Sequence, residues 1–384
     1  MTPISVLFYV QHLLGIGHLA RASRIAAALI DRGMKVTLVT GGLPVKGFPG
    51  PGVTHIALPP LAVQDGGFSG LVDQSGQVAD APYLEARRDL LLQAFHDSAP
   101  DVVITEAFPF GRRQMRFELL PLLDAIKAQQ PRPVLVASIR DILQEHSKPG
   151  RDEETVDLVL KHYDRVLAHG DPAFAALGDT FPLFDQIAQK VSHTGLVCPP
   201  NPEPSPERFD VVVSAGGGAV GAGLVAAAVD AARLRPDLRR WLVITGPNLP
   251  QADYDRLAST APENVTLCRF RTDFANLLAS ARLSISQSGY NTVADILQAG
   301  CRALLVPFAA KGETEQTARA ERLEARGRAV MIAESDLDGP GMAAAIDRAL
   351  AQNPASVAGA GATDGAARTA EIIANLVKEA RAKA

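Results

Sequence analysis

Four short segments of this chain place glycines and small polar residues between an apolar run and a helical pattern. The first of them adds an imidazole. It reads Gly15-Ile16-Gly17-His18. Two glycines let a ligand approach the backbone, and a helix N-terminus favours negative charge. A histidine titrating near neutrality suits removal of a proton from a hydroxyl. The structural alternative is that Gly17 permits a turn and His18 caps the helix. The spacing is not the dinucleotide fingerprint, because the third glycine position is missing.

The second segment, Ser214-Ala215-Gly216-Gly217-Gly218-Ala219-Val220-Gly221, also lies between a strand and a helix. Glycine-rich backbone at such a junction cradles a diphosphate, and Gly216, Gly217 and Gly218 are the candidates. It lacks the Lys-Ser/Thr ending of an NTPase loop, which disfavours phosphoryl transfer. The third segment runs Ser286-Gln287-Ser288-Gly289-Tyr290-Asn291-Thr292-Val293-Ala294-Asp295. Hydroxyls and unpaired amides there suit phosphate, and Asp295 suits a pair of ribose hydroxyls. The alternative is N-capping by Asn291 or Thr292, with Asp295 answering the helix dipole. The fourth, Pro307 to Gln316, ends at a helix start where Glu315 and Gln316 could reach a sugar or ribose, or where Glu313 and Glu315 simply match the dipole. Charges after apolar runs add Glu106, Arg140 and Asp141, each equally compatible with an ion pair.

The elements that must hold these residues read as α/β. Ile4 to Val10 predicts a buried strand, Leu19 to Arg32 a helix ended by Gly33, and Lys35 to Thr40 a second strand. That βαβ opening implies a parallel sheet. Residues 41–85, rich in Gly and Pro, read as long loops with a poor strand near Val53 to Leu58. Regular alternation then returns to Ala168. Five prolines between Pro199 and Pro206 mark a linker. The pattern restarts at Phe209, so the expectation is two Rossmann-like domains, 1–198 and 209–384, joined by 199–208. Residues 355–368 read as a loop and 370–382 as a last helix, a candidate to pack back on the first domain.

The bulk composition narrows the function classes. The 384 residues exceed what one core usually serves. A formal charge of −4 gives no reason to expect a nucleic-acid partner. Three widely spaced cysteines suggest neither a disulfide framework nor a zinc site. No apolar run approaches ~20 residues, so no membrane span is expected. No secretory leader is read at the start. The expected location is the cytoplasm, with membrane contact at most peripheral.

Taken in order, the segments resemble the family 28 glycosyltransferases. Leu283 to Gln316 is similar to that family's nucleotide-binding half, keeping Ser286, Ser288, Gly289, Thr292, Val293, Gly300, Pro307, Phe308 and Gln316. Asp295 stands where the family has Glu, and Glu315 where it often has Gln. Gly15-Ile16-Gly17-His18 resembles the family's first loop, whose histidine is a proposed base. The resemblance implies a GT-B fold, two Rossmann-like domains facing each other across a cleft. It implies inverting transfer from a nucleotide-sugar donor, UDP-linked, to an acceptor hydroxyl, with no metal and no cofactor. His18 would act as base and Glu106 would orient it. Gly15, Gly17, Gly216, Gly217, Gly218, Ser286, Ser288, Gly289, Asn291, Thr292, Asp295, Glu315 and Gln316 would bind the donor. Gly17-His18-Leu19-Ala20-Arg21 also resembles the UDP-sugar hydrolases of pseudaminic acid synthesis, where the histidine would activate water. A non-catalytic nucleotide-sugar-binding protein is the third expectation.

Overall fold

The computed structural model describes residues 2–13, 15–63, 70–144, 148–216, 221–246, 249–309, 312–353 and 363–383. The chain divides into two compact units, one of Met1–Val197 with Asp364–Ala384 and one of Cys198–Thr363.

The first unit opens with β1 (Ser5–Val10), α1 (Gly17–Asp31) and β2 (Lys35–Thr40). Next come β3 (Thr54–Ala57), the short pair β4 (Ala62–Val63) and β5 (Leu71–Val72), and α2 (Ala81–Ser98). Then follow β6 (Val102–Glu106), α3 (Arg116–Ala128), β7 (Val134–Arg140) and α4 (Arg151–His162). β8 (Arg165–His169), α5 (Phe184–Ile187) and β9 (Val191–His193) complete the run. The main sheet has seven parallel strands in the order β3-β2-β1-β6-β7-β8-β9.

Strand alternation decides what each face of this sheet buries. Leu7, Tyr9, Val103 and Leu135 pack on one side with Leu91 and Phe95 of α2 and Leu119 and Leu122 of α3. Val6, Phe8, Val10, Ile104 and Val136 pack on the other. There they meet α1, whose Leu19, Ala22, Ile25, Ala26 and Leu29 recur at helical spacing. Both faces are covered, which is why these strands read as continuous apolar runs.

Three expectations change. The segment 41–85 holds the strand expected near Val53 to Leu58 as β3, but it also carries the β4–β5 pair and the start of α2. It is also fastened to the core. The buried Arg87 guanidinium donates to the carbonyls of Gly41 (2.8 Å) and Pro59 (2.5 Å), and is neutralised by Glu118 at 2.7 Å. The expected loop at 355–368 ends earlier, because α12 (Gly365–Lys383) begins at Gly365; residues 354–362 lie outside the described set. Finally, the second unit ends at Thr363 rather than at 384, and α12, the candidate to pack back on the first domain, lies in the first unit. Its Ala370, Ile373 and Val377 share a core with α1, and Val197 bridges to Asp364.

The second unit begins with β10 (Val211–Ser214), α6 (Ala222–Leu234), β11 (Trp241–Ile244) and α7 (Gln251–Thr260). It continues with β12 (Val265–Cys268), α8 (Phe274–Ser280), β13 (Leu283–Ser286) and α9 (Tyr290–Ala299). β14 (Ala303–Leu305), α10 (Glu315–Ala325), β15 (Val330–Met331) and α11 (Gly339–Ala351) close it. Its six strands are parallel, in the order β12-β11-β10-β13-β14-β15. Val211 and Val213 pack against Leu224, Val225 and Ala228 of α6 and Met342 and Ile346 of α11. Each unit is thus an α/β layer structure with a parallel sheet. No described helix is long and apolar enough to cross a membrane.

Candidate active site

In the first unit, β1 and β6 are neighbours, so the carboxyl end of β6 lies beside the turn that follows β1. Glu106 is the last residue of β6 and is fully buried. His18 is the second residue of α1, whose N-terminus carries no side-chain cap. The imidazole therefore does not cap the helix. Its Nδ1 lies 2.9 Å from Oε1 of Glu106, and 17% of its side-chain surface remains open. Arg21, one turn further along α1, donates to the same Oε1 and is buried. Ser138 of β7 sits opposite Glu106 in the sheet register and donates to Oε2 at 2.6 Å.

These contacts set the protonation states. Burial alone would raise the Glu106 pKa. The Arg21 charge and the bonds from His18 and Ser138 outweigh it and hold the carboxyl at about 2. An ionised carboxylate can only accept, so the His18 proton resides on Nδ1 and the lone pair on Nε2. Burial first, and then the Arg112 charge, push His18 down to about 3 against the pull of Glu106. The ring is thus a neutral base above that pH. Arg112 is itself depressed to about 10 by burial and by the nearby Arg140 charge; its Nε donates to the Gln11 carbonyl at 2.8 Å. Asp141 is buried and accepts from the Ile142 amide at 2.8 Å. Gly15 leaves open space where a Cβ would stand, and Gly17 begins α1.

In the second unit, β10 and β13 pair with Ser214 opposite Ser286, so the second and third sequence segments leave the sheet side by side. Gly216 adopts φ +72°, a backbone that favours glycine, and its amide donates to Ser214 Oγ at 3.3 Å. Gly217 and Gly218 lie outside the described residues. The Ser286 hydroxyl is buried and has no hydrogen-bond partner among the described residues. Gly289 precedes α9, which has no side-chain cap, and a Cβ there would meet open space. Asn291 and Thr292 lie inside the first turn of α9 rather than capping it. Asp295 falls in the second turn with 8% of its surface open.

The third and fourth segments also meet. Ser288 Oγ donates to the Gln316 carbonyl at 2.8 Å, and Gln316 Oε1 accepts from the Phe308 amide at 3.2 Å. Glu315 is buried and pairs with buried Arg319 at 2.8 Å, while Arg319 also donates to the Ser288 carbonyl at 3.0 Å. Glu313 accepts from the amides of Glu315 (2.6 Å) and Gln316 (3.2 Å), which answers the helix start as the dipole requires.

Sequence reasoning gave no role to Arg21, Ser138, Arg112 or Arg319. Arg21 had a signal, since it lies three residues from His18 on one helix face. Among the described residues, no group of three or more His, Cys, Asp or Glu gathers in a way that could hold a metal ion.

Comparison with known proteins now bears on both units. Residues 212–376 match the glycosyltransferase family 28 C-terminal domain. The chain is family 28-like, with the GT-B fold. A curated relative from Rhodopseudomonas palustris is named UDP-N-acetylglucosamine--N-acetylmuramyl-(pentapeptide) pyrophosphoryl-undecaprenol N-acetylglucosamine transferase. It is 31% identical over an alignment of 247 positions that covers 57% of this chain and 65% of that protein. The chain spans 65% and 49% of the length of the first two such relatives. Among solved structures, the calicheamicin glycosyltransferase CalG4 superposes with a TM-score of 0.62 at 18% identity, covering 100% of this chain and 98% of its own. Acinetobacter baumannii MurG does so with a TM-score of 0.56 at 17% identity, covering 99% of each. At these identities the two superpositions speak for the fold.

Proposed function

We propose that this GT-B chain is a glycosyltransferase that moves a sugar from a nucleotide-sugar donor, UDP-linked, to an acceptor hydroxyl, with inversion and without a bound metal. The observation that carries the reading is the His18–Glu106 hydrogen bond at 2.9 Å, with the carboxylate held by Arg21 and Ser138. The lone pair on Nε2 is free to take a proton at neutral pH, and the buried Glu106 anion behind Nδ1 supports the charge that then forms, while burial holds the resting ring at about 3 rather than near the neutrality expected from the sequence. Support for the donor comes from the family 28 match over residues 212–376 and from the buried Ser286 hydroxyl at the end of β13, which has no hydrogen-bond partner among the described residues. The N-terminus of α9, with Gly289 at its N-cap, would favour the donor diphosphate.

In this reading the acceptor oxygen attacks the anomeric carbon as the bond from that carbon to the diphosphate oxygen breaks. Nε2 of His18 takes the hydroxyl proton. Glu106 stabilises the imidazolium that forms, and the diphosphate leaves with the bonding electron pair. Amides and the helix dipole answer its charge. One displacement inverts the configuration. The donor named for the Rhodopseudomonas palustris relative, UDP-N-acetylglucosamine, is the first to test. The reading places the work in the cytoplasm, with membrane contact at most peripheral.

Hydrolysis of a nucleotide sugar uses the same dyad, and the pairing of Arg21 with Glu106 suits the Gly-His-x-x-Arg pattern of that alternative. Purified full-length protein would be given a panel of UDP-sugars with and without acceptors. UDP release that depends on an acceptor supports transfer. Fast release of free sugar with donor alone replaces it with hydrolysis. Raised thermal stability with UDP but no turnover across the panel reduces the chain to a binding protein.

A further inference from the structure

Behind Glu106, the buried side chains continue in one line. Ser138 Oγ lies 2.6 Å from Glu106 Oε2 and 2.9 Å from Nε2 of His169, the last residue of β8. His169 Nδ1 lies 2.8 Å from the hydroxyl of Thr194, just past β9. Ser138, His169 and Thr194 are all buried. Each sits at the carboxyl end of a strand in the run β6-β7-β8-β9, so the sheet itself sets their spacing.

Ionisation fixes the direction of every bond. Glu106 can only accept, so the single Ser138 proton points to Oε2. Ser138 must then accept from His169, which places that ring's proton on Nε2. Burial pushes His169 down to about 3, so it is neutral and its Nδ1 must accept from Thr194. The Thr194 hydroxyl has another acceptor available, the Gly195 carbonyl at 3.0 Å, but choosing it would set the Nδ1 lone pair against an oxygen lone pair at 2.8 Å or require a doubly protonated, buried His169. The chain therefore runs one way, from Thr194 through His169 and Ser138 to Glu106.

We infer that Ser138, oriented by His169 and Thr194, is a positioning residue that locks the Glu106 carboxylate so that His18 keeps its proton on Nδ1 and its lone pair on Nε2. Without the Ser138 hydroxyl, Oε2 is left buried without that donor, and the carboxylate turns to recover one. Oε1 then no longer claims Nδ1 of His18 alone. If Thr194 loses its hydroxyl, His169 is free to move its proton to Nδ1. Its Nε2 then competes with Glu106 for the Ser138 proton.

The inference rests on the reading of His18 as base, but its primary test needs no substrate. Full-length protein labelled with ¹⁵N-histidine would be compared at neutral pH as wild type, Ser138→Ala, Ser138→Thr and Thr194→Val, with His18→Gln to assign the His18 ring. Wild type and Ser138→Thr should show only the Nδ1–H form of His18. Ser138→Ala should show a mixture with Nε2–H, and Thr194→Val a smaller shift in the same sense. Where turnover is measurable, Ser138→Ala should lower kcat while the donor KM stays put, and Ser138→Thr should restore it. A His18 ring unchanged in both Ser138→Ala and Thr194→Val would overturn the inference. Absence of turnover in the wild type would instead overturn the transferase reading and leave the ring result standing.

Discussion

Arg21 and His18, one helical turn apart on α1, donate to the same oxygen of Glu106. The pairing gives the two residues different duties. Arg21 is buried and keeps the carboxylate ionised, whereas His18 keeps an open edge. Removing the cation should leave a buried, under-compensated anion. Arg21→Met is expected to cost about 3–5 kcal/mol of stability in urea unfolding. Arg21→Lys should recover only part of it, because an ammonium lacks the fork of donors. A loss under about 1 kcal/mol for Arg21→Met, the range of exposed pairs, would contradict this division of duties.

Glu106→Gln conserves shape and removes charge. Its amide can face Ser138 only if the protons of Ser138, His169 and Thr194 all reverse, with Thr194 then donating to the Gly195 carbonyl. The imidazolium would also lose its counter-charge. Turnover should fall by about 10²–10⁴-fold with donor affinity nearly unchanged. Since His18 and Glu106 act as a unit, the double variant His18→Ala/Glu106→Gln should be little worse than His18→Ala alone. Steady-state kinetics on the four proteins checks this, and additive losses would show that the residues act independently.

The parallel sheets were legible because strands covered on both faces are nearly continuous apolar runs, as Val6 to Val10 and Val134 to Ile139 are. Helix α4 was not, since Arg151-Asp152-Glu153-Glu154 masks a narrow buried face of Thr155, Val156, Val159 and His162. The β4–β5 pair was hidden in the same way, two residues per strand being too short for any period to register. Within the site, His18 and its glycines announced themselves by local spacing. Ser138 and His169 did not, because their meaning comes from strand register. Only the pairing of Glu106 with Ser138 and the neighbouring place of β8 bring residues 106, 138 and 169 into line.

Acid should weaken the first unit in a defined window. His18 and His169 are held at about 3, below the ordinary value near 6.5, so the unfolded chain binds more protons than the folded one between those limits. Stability is therefore complete above about pH 6.5 and falls as pH drops toward 3. Glu106, held at about 2 against an ordinary 4.5, adds to the loss below pH 4.5. Each histidine contributes at most about 1.4 kcal/mol per pH unit. Urea midpoints of wild type and His169→Gln from pH 7 to 4.5 test this. The variant's slope should be shallower, and parallel slopes would contradict the assignment for His169.

The Glu315–Arg319 pair in α10 ties the helix start to the Ser288 carbonyl. Breaking one side of a buried pair costs more than removing both. Glu315→Ala should therefore destabilise the second unit by about 3–5 kcal/mol, and Glu315→Leu/Arg319→Met by less. Because Ser288 is held by the same arginine, UDP affinity should weaken in Glu315→Ala as well. Calorimetry with UDP checks the second part, and full affinity in a folded Glu315→Ala would remove the pair from the donor site.

The account stands on His18 as the base, and one paired measurement tests it most directly. UDP binding and glycosyl transfer would be measured side by side for wild type and His18→Ala. The account predicts that the variant binds UDP as well as wild type does and loses turnover by about 10²–10⁴-fold. Turnover at the wild-type rate in His18→Ala would contradict it.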